Sequence, residues 1–221
     1  MPDFVRFPLV LVIVCGISAV VLGGLNAATE PIIRARREAA AQEAVKVVLP
    51  GAARISEKTV RVTGSGGAEE EIRYAEGYAS ESDEKAGRPM GYAADGHARG
   101  YQSEIAVKAG FRRTDSGLEV LAVRVVSQAE TPGIGTKIEE VKTGRSVLGL
   151  LQGKTYPDPA TVPPWFPEQF QGLPAGKARL KPDGGAVDGI TGATISSRAV
   201  ASAVQDAANR LQRALAAEGA R

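Results

Sequence analysis

The residues best suited to chemistry lie near the C-terminal end, in the stretch DGITGATISSRAV at residues 188–200. Two threonines, two serines and two glycines stand there, and the alanine-rich stretch around them predicts a helix over residues 194–218. The first N–H groups of a helix lack partners within the helix, and the helix dipole adds positive potential at that end. A helix start of this kind binds anions, so the stretch is typical of a phosphate site.

Each small or hydroxylated residue of this stretch has a predicted part in such a site. Gly192 and Ala193 allow a bulky anion to approach the backbone closely. The hydroxyl groups that would donate to the anion belong to Thr191, Thr194, Ser196 and Ser197. A helix that is capped by a threonine and binds no ligand has the same spacing, because threonine is a common capping residue. The residues alone leave both interpretations open.

Composition limits the other kinds of chemistry, because the chain has one histidine and one cysteine. A single cysteine makes no internal disulfide, no Cys-ligated iron–sulfur cluster and no cysteine-rich zinc site. We interpret His97 as a surface or hydrogen-bonded residue, since a histidine base or metal ligand needs partners. We therefore predict no catalytic residue and no metal site, and redox chemistry here would need an organic cofactor. The net charge of +2, without a clustered basic face, argues against nucleic-acid binding.

The elements that position this stretch begin with an apolar N-terminal segment. Between Arg6 and Glu30 no residue is charged, and a helix over residues 7–29 spans roughly 35 Å, enough to cross a hydrocarbon layer of ~30 Å. We predict an uncleaved transmembrane helix over residues 7–29, after an N-terminus at residues 1–6; a cleaved signal peptide is the alternative. The three arginines that follow favour a cytoplasmic C-terminal part, although long domains cross membranes despite such charges.

Helices and strands follow the apolar segment. We predict a linking helix over residues 30–51, with Thr29 as its cap and Pro31 in its first turn. RVTGSGGAEEEIRYAEGYA predicts a hairpin or meander with a GSGG turn. GYQSEIAVKAGF and LEVLAVRVVSQ predict the firmest strands, paired antiparallel through RRTDSG. Further short helices are predicted over residues 143–151 and at PEQF, within the proline-rich residues 153–176.

The last helix closes the predicted domain. Its predicted apolar face comprises Ile195, Ala199, Val200, Ala203, Ala207, Leu211 and Leu215. Strands flanked by helices indicate an α+β fold, with an antiparallel sheet, for one domain over residues 52–221.

Several of these stretches resemble one known family. DGITGAT, residues 188–194, resembles the flavinylation motif D-x-x-S/T-G-A-T of the FMN-binding domain family, and SQAETPGIGTKIEE, residues 127–140, is similar to its E-T-P-G-L/I-G loop. The family is also similar in three further stretches, GYQSEIAVKAGF, VLPGA and WFPEQFQG, so the resemblance covers most of the chain. The family includes the G subunits of Rnf-type electron transport complexes and the C subunits of Na+-translocating NADH:quinone reductases. Chain length, the VLPGA helix and TGATISS favour the G subunits.

The resemblance implies the cofactor and the residues around it. A flavin transferase would move the FMN part of FAD onto Thr194, so that the bond between FMN and AMP is broken and FMN is joined through its phosphate to the threonine hydroxyl. Further residues are expected to contact the phosphate or to belong to the turn that carries it. They are Asp188, Thr191, Gly192, Ala193, Ile195, Ser196 and Ser197. Residues implied to line the flavin ring are Glu130, Thr131, Gly133 and Gly135.

The resemblance also implies a function. The chain would be a membrane-anchored subunit that relays electrons within an ion-translocating ferredoxin/NAD oxidoreductase, with no independent catalysis. Its partners would be the other membrane and iron–sulfur subunits and, during maturation, the flavin transferase. The transferase acts outside the cytoplasm, which implies a bacterial inner-membrane protein with a cytoplasmic N-terminus and a periplasmic domain. The C subunit of the quinone reductase, and a membrane-anchored flavin sensor or docking module, are the alternatives.

Overall fold

The computed structural model describes residues 3–63, 69–142 and 162–219. The chain divides into two compact units, Met1–Gln42 and Glu43–Arg221. The prediction of a short helix over residues 143–151 lies outside the described residues.

The N-terminal helix α1 runs without a break over Asp3–Val48. Within its segment Leu9–Val48, a window of 18 residues has a mean hydropathy of 2.4, so the helix is long and apolar enough to cross a membrane by length and composition. Large apolar side chains of this segment are exposed, among them Leu11, Val12 and Val20. An exposed apolar helix of this length is consistent with the predicted single-pass anchor.

The prediction that Thr29 caps a separate linking helix is wrong. Thr29 lies inside α1, where its hydroxyl donates to the carbonyl oxygen of Leu25 at 2.9 Å. Threonine forms this bond inside helices because its hydroxyl reaches the carbonyl four residues earlier. Pro31 also lies inside α1. The division of the chain into segments at residues 29 and 51 stays a prediction.

The described strands form one antiparallel sheet, and their order across the sheet is their order along the chain. They are β1 Arg54–Thr63, β2 Glu69–Tyr78, β3 Gly91–Arg99, β4 Glu104–Thr114 and β5 Gly117–Ser127. Both predicted pairs are confirmed, since β1 pairs with β2 and β4 pairs with β5. The predicted GSGG turn between β1 and β2 lies outside the described residues.

The central strand β3 was not predicted from the sequence. Its nine residues, GYAADGHAR, include two glycines and no β-branched residue, so they lack the usual composition of a strand. Pairing with β2 and β4 on either side nevertheless places them in the sheet. His97 lies on β3 with its side chain 43% exposed, which agrees with its interpretation as a surface residue.

The main core lies between one face of the sheet and the C-terminal helix, which spans Thr194–Gly219. Two short α-helices precede it in the described globular unit, α2 over Glu81–Lys85 and α3 over Trp165–Glu168. The C-terminal helix is α4. Alternate residues of β4, including Val107 and Phe111, point towards α4 and are fully buried. Helix α3 begins two residues before the predicted PEQF helix and overlaps its first two residues.

Helix α4 approaches the sheet closely because both surfaces are made of small residues. Ala203 and Ala207 of α4 are fully buried. A Cβ atom at Gly96 on β3 would lie 2.0 Å from the carbonyl oxygen of Ala203. The predicted apolar face of α4 is confirmed over Ala199–Leu211, but Ile195 is 51% exposed and does not belong to it. Ile195 is the second residue of α4, at the end of the helix beyond the core.

The opposite face of the sheet carries a second, smaller cluster. Val48, the last residue of α1, and Leu49, which follows it, pack against Ala75 of β2 and Ala93 of β3. A Cβ atom at Gly110 on β4 would lie 1.9 Å from the carbonyl oxygen of Val48. The sheet is therefore covered by helical residues on both faces, which confirms the predicted α+β class.

Candidate functional site

Among the described residues, no side chain caps the start of α4. Helix α4 begins at Thr194, and its first internal bond runs from the N–H of Ser197 to the carbonyl oxygen of Ala193 at 2.9 Å. Ala193 therefore occupies the capping position, and its methyl group accepts no hydrogen bond. This geometry disfavours the interpretation that a threonine caps the helix.

Three N–H groups at this helix start are available to a ligand. Within the described residues, the N–H groups of Thr194, Ile195 and Ser196 have no hydrogen-bond acceptor. Thr194 itself is exposed, so its hydroxyl is accessible from solvent. Free N–H groups and the helix dipole together attract an anion to this point.

The turn before α4 is held open by the backbone and by Ser197. Gly192 has a φ of 82°, a conformation that glycine adopts readily, and a Cβ there would meet no atom within 4 Å. The hydroxyl of Ser197 donates to the carbonyl oxygen of Ala193 at 2.9 Å and accepts from the N–H of Ile190 at 3.0 Å. Ser197 is fully buried, so the prediction that it binds the phosphate does not fit the structure, and it braces the turn instead.

A cavity of about 640 Å³ opens in front of this helix start. Its volume falls within the range of roughly 300–1,000 Å³ that is usual for small-molecule sites. The residues that line it are Tyr101, Gln102, Glu130, Thr131, Ile134, Gly135, Gly192, Ala193, Thr194, Ile195 and Ser196. The structure thus brings together the two stretches that carry the resemblance, together with the connection between β3 and β4.

Three lining residues were missed by the sequence analysis. Tyr101 and Gln102 lie between β3 and β4, in a stretch that the sequence pattern had assigned to the start of a strand. Ile134 lies between two glycines that were predicted as site residues. The signal that could have found Ile134 is its position within ETPGIG, whereas no local pattern marks Tyr101.

Glu130 is the buried centre of the site, with only 3% of its surface exposed. Its carboxylate accepts hydrogen bonds from the N–H groups of Tyr101, Gln102 and Ser103, each at 3.1 Å. It also accepts from the Ser196 hydroxyl at 2.5 Å. Glu130 therefore ties the β3–β4 connection to the first turn of α4, and a buried charge with this many donors is satisfied.

The surroundings of Glu130 decide its charge. Burial by itself raises the pKa of the Glu130 carboxyl, but the hydrogen bonds from Ser196 and from the N–H groups of Ser103, Gln102 and Tyr101 outweigh it, so that the pKa is lowered. Glu130 is consequently ionised at neutral pH.

The side chain of Ser196 binds Glu130 instead of the predicted phosphate. Its hydroxyl hydrogen is directed at Glu130 and is not available to a phosphate oxygen. Its backbone N–H remains free within the described residues. Ser196 can therefore bind an anion through its backbone while its side chain binds Glu130.

Four of the predicted site residues do not line the cavity. One of them is Ser197, described above, and the others are Asp188, Thr191 and Gly133. Asp188 is exposed and pairs with Lys181 at 2.8 Å. Thr191 is exposed in the turn before α4. Gly133, with a φ of 74°, lies in a turn where its N–H binds the hydroxyl of Thr136. Asp188, Thr191 and Gly133 therefore lie outside the residues that line the cavity.

Large apolar side chains stand around the mouth of the cavity. Tyr101 is 63% exposed, Ile134 is 49% exposed and Ile195 is 51% exposed. Exposed apolar side chains that converge on one cavity mark a ligand or partner site. A flat apolar ring with a phosphate group fits this arrangement, because the free N–H groups lie beside the apolar rim.

Comparison with known proteins identifies the class of site. Residues 100–209 match the FMN-binding domain family. Strands β4 and β5, the helix start at Thr194 and the residues that line the cavity all fall within this match, and together they define an FMN-binding domain. The chain belongs to the FMN-binding domain family.

Curated relatives cover different shares of the chain. The G subunit of the ion-translocating oxidoreductase complex of Methanosarcina acetivorans is 27% identical over 197 residues, covering 89% of this chain and 88% of that protein. The G subunit of the same kind of complex from Aliivibrio fischeri is 39% identical over 49% of this chain and 42% of that protein. The G subunit from Pseudomonas aeruginosa PAO1 is 38% identical over 58% of this chain and 51% of that protein. The match thus spans about half the length of the latter two relatives.

Among solved structures, the chain is similar to the crystal structure of Shewanella oneidensis NqrC. The two have a TM-score of 0.40 and 19% sequence identity, and the match covers 70% of this chain and 64% of that chain.

Proposed function

We propose that this protein carries FMN in phosphoester linkage to Thr194 and relays electrons as a membrane-anchored subunit of an Rnf-type ion-translocating oxidoreductase. The match to the FMN-binding domain family and the similarity to the named G subunits support the proposal. The single observation that carries the covalent link is the exposed hydroxyl of Thr194, which stands at an uncapped helix start inside the cavity.

The helix start would hold the phosphate. The N–H groups of Thr194, Ile195 and Ser196 would donate to its free oxygens, and the helix dipole would stabilise its charge. Gly192, with open space where a side chain would be, lets the backbone pass the ester group closely. The ester fixes one phosphate oxygen in place, so the bound group does not dissociate between electron transfers.

The apolar rim would hold the flavin ring. Tyr101, Ile134 and Ile195 present large apolar surfaces at the cavity mouth, which would pack on the ring and exclude water from it. Bound FMN supplies the reversible redox chemistry, while the protein positions the ring and sets its electrostatic surroundings. The ionised Glu130 is the charged group of the lining, so it would disfavour added negative charge on the cofactor.

The proposed partners follow from the same similarity. They are the other membrane and iron–sulfur subunits of the complex and, during maturation, the flavin transferase that would esterify Thr194. The exposed apolar rim gives such a partner access to the ring edge. The domain would lie on the periplasmic side of the bacterial inner membrane, anchored by α1.

Mass spectrometry tests the covalent link. The full chain is produced together with its flavin transferase, and the intact mass and the peptide masses are measured. We expect an added FMN, less one water, on the peptide that contains Thr194. Thr194→Ala removes the addition, whereas Thr59→Ala, which changes an exposed threonine of β1 outside both the motif and the cavity lining, retains it. An unmodified Thr194 peptide in the wild type under these conditions contradicts the proposal.

A further inference from the structure

We propose that Glu130 makes the cavity select a phosphate with one negative charge over a phosphate with two, and so esterified FMN over free FMN. The inference rests on the proposed function, because it concerns the same cavity and the same helix start. Glu130 would thus be a specificity-determining residue, whose part is to keep free FMN from occupying the site before Thr194 is esterified.

The position of the Glu130 carboxylate is closely determined. Glu130 lines the same cavity as Thr194, and one of its oxygens is held by the hydroxyl of Ser196 on the first turn of α4. Three N–H groups of the β3–β4 connection hold the same carboxylate. The carboxylate is therefore fixed near the helix start, and it cannot turn into solvent without losing these bonds.

The backbone at Gly100 and Gly135 packs closely against Glu130. A Cβ atom at Gly100 would lie 2.5 Å from Glu130 Oε1, and a Cβ atom at Gly135 would lie 2.6 Å from Glu130 Cβ. Real Cβ atoms do not come so close to other atoms, so both positions suit glycine. This packing places a buried negative charge in the wall of a site that otherwise attracts anions.

The two forms of the phosphate differ in charge. A free phosphate monoester carries about −1.5 to −2 charges at pH 7. Once it is esterified to Thr194, the phosphate has one ionisable oxygen and carries a single negative charge. The second charge of free FMN would be repelled by the carboxylate of Glu130 and would find fewer donors, because Ser196 has already given its hydroxyl hydrogen to Glu130.

Binding of two flavins that differ only in the phosphate tests the inference. The full-length Thr194→Ala protein is purified in detergent without flavin, and FMN and riboflavin are titrated by quenching of flavin fluorescence. We expect riboflavin, which has no phosphate, to bind at least as tightly as FMN. In the double variant E130Q/T194A, we expect the affinity for FMN to rise about tenfold while that for riboflavin changes less than about twofold.

A matched control and a second measurement isolate the charge. Glu140→Gln in the Thr194→Ala background removes an exposed carboxylate outside the cavity wall and should leave both affinities unchanged. An unchanged affinity for riboflavin in E130Q/T194A shows that the cavity keeps its shape despite the altered hydrogen bonds.

The second measurement leaves Glu130 in place and changes the pH. The second pKa of a phosphate monoester is about 6, so lowering the pH from about 7.5 to about 5.5 removes most of the second charge of FMN. We expect FMN then to bind the Thr194→Ala protein more tightly relative to riboflavin. The groups that face the Glu130 carboxylate are the N–H groups of Tyr101, Gln102 and Ser103 and the hydroxyls of Ser103 and Ser196, and none of them titrates in this range.

The possible outcomes separate the inference from the proposed function. If FMN binds the Thr194→Ala protein much more tightly than riboflavin, and neither E130Q nor the pH changes that ratio, charge selection by Glu130 is overturned while the flavin site stands. If neither flavin binds the Thr194→Ala protein, the inference is overturned, whereas the proposed function is decided separately by the mass of the Thr194 peptide.

Discussion

At the scale of single residues, Glu130 shows how one side chain organises the site. A carboxylate that is only 3% exposed is costly unless it is fully hydrogen-bonded, and here donors come from two separate parts of the chain. The same bonds that make burial possible keep the group ionised. Glu130 therefore contributes both to folding of the cavity wall and to the electrostatics of the cavity.

The lowered pKa of Glu130 predicts a dependence of stability on pH. Because the pKa in the folded state lies below its ordinary value of 4.5, the stabilisation is present above that value and is lost as the pH falls below it. We expect Glu130→Gln to lower the free energy of unfolding by roughly 1–3 kcal/mol at pH 7, and by progressively less as the pH falls below about 4.5.

Unfolding in urea at pH 7 and at lower pH, followed by the fluorescence of the single tryptophan Trp165, measures this difference. Glu140→Gln serves as the control, since it removes an exposed carboxylate. A difference between wild type and Glu130→Gln that stays constant across this pH range would falsify the linkage.

At the scale of elements, the position of the helix start depends on how closely α4 lies on the sheet. Gly96 of β3 faces Ala203 and Ala207 of α4, and no larger side chain separates the strand from the helix backbone. Ser197 then fastens the turn at Ile190–Ala193 to the first turn of α4. The free N–H groups at Thr194 are thus held by packing behind them rather than by contacts within the cavity.

Gly96→Ala tests this packing. The new Cβ atom would lie 2.0 Å from the carbonyl oxygen of Ala203, so helix or strand must shift. We expect the free energy of unfolding to fall by about 1–3 kcal/mol or more, as for other overpacked core sites.

Gly176→Ala is the matched control for this prediction, because a Cβ atom at Gly176 meets nothing within 4 Å and the residue has no positive φ. Urea unfolding of both variants compares them directly. Equal stability of the two variants would show that α4 does not lie against β3 as described.

At the scale of the whole molecule, the proposed function requires α1 to anchor the chain and the globular unit to reach the periplasm. The helix is long and apolar enough to span a membrane. The arginines at residues 34, 36 and 37 favour the opposite orientation, but a long domain can cross despite such charges. We therefore predict a cytoplasmic N-terminus and a periplasmic C-terminus.

Reporter fusions after Arg221 measure the orientation. Alkaline phosphatase fused there should be active, because it folds only in the oxidising periplasm, and a green fluorescent protein exported through the same pathway should be dark. The same two reporters fused before Met1 should give the reverse result and serve as the control. Bright fluorescence together with inactive phosphatase at Arg221 would refute the predicted orientation.

Local pattern in the sequence was sufficient for much of this protein. The apolar run before Glu30, the hairpin of β1 and β2, the pair β4 and β5, and the helix from Thr194 were all predicted. Hydrophobic periodicity and turn residues act over short distances along the chain, so they can be recognised without a fold. The motif at residues 188–194 likewise identified Thr194 from adjacent residues alone.

Only the tertiary structure decided how the site is built. Glu130 and Ser196 are 66 residues apart in sequence, and their contact both favours the ionised carboxylate and removes the Ser196 hydroxyl from the set of phosphate donors. The central strand β3 has a weak strand composition and is placed by its two neighbours. Tyr101 lies in the connection between β3 and β4, and its N–H binds Glu130, which is 29 residues further along the chain. Contacts between distant residues depend on how the elements pack, and no local pattern carries that information.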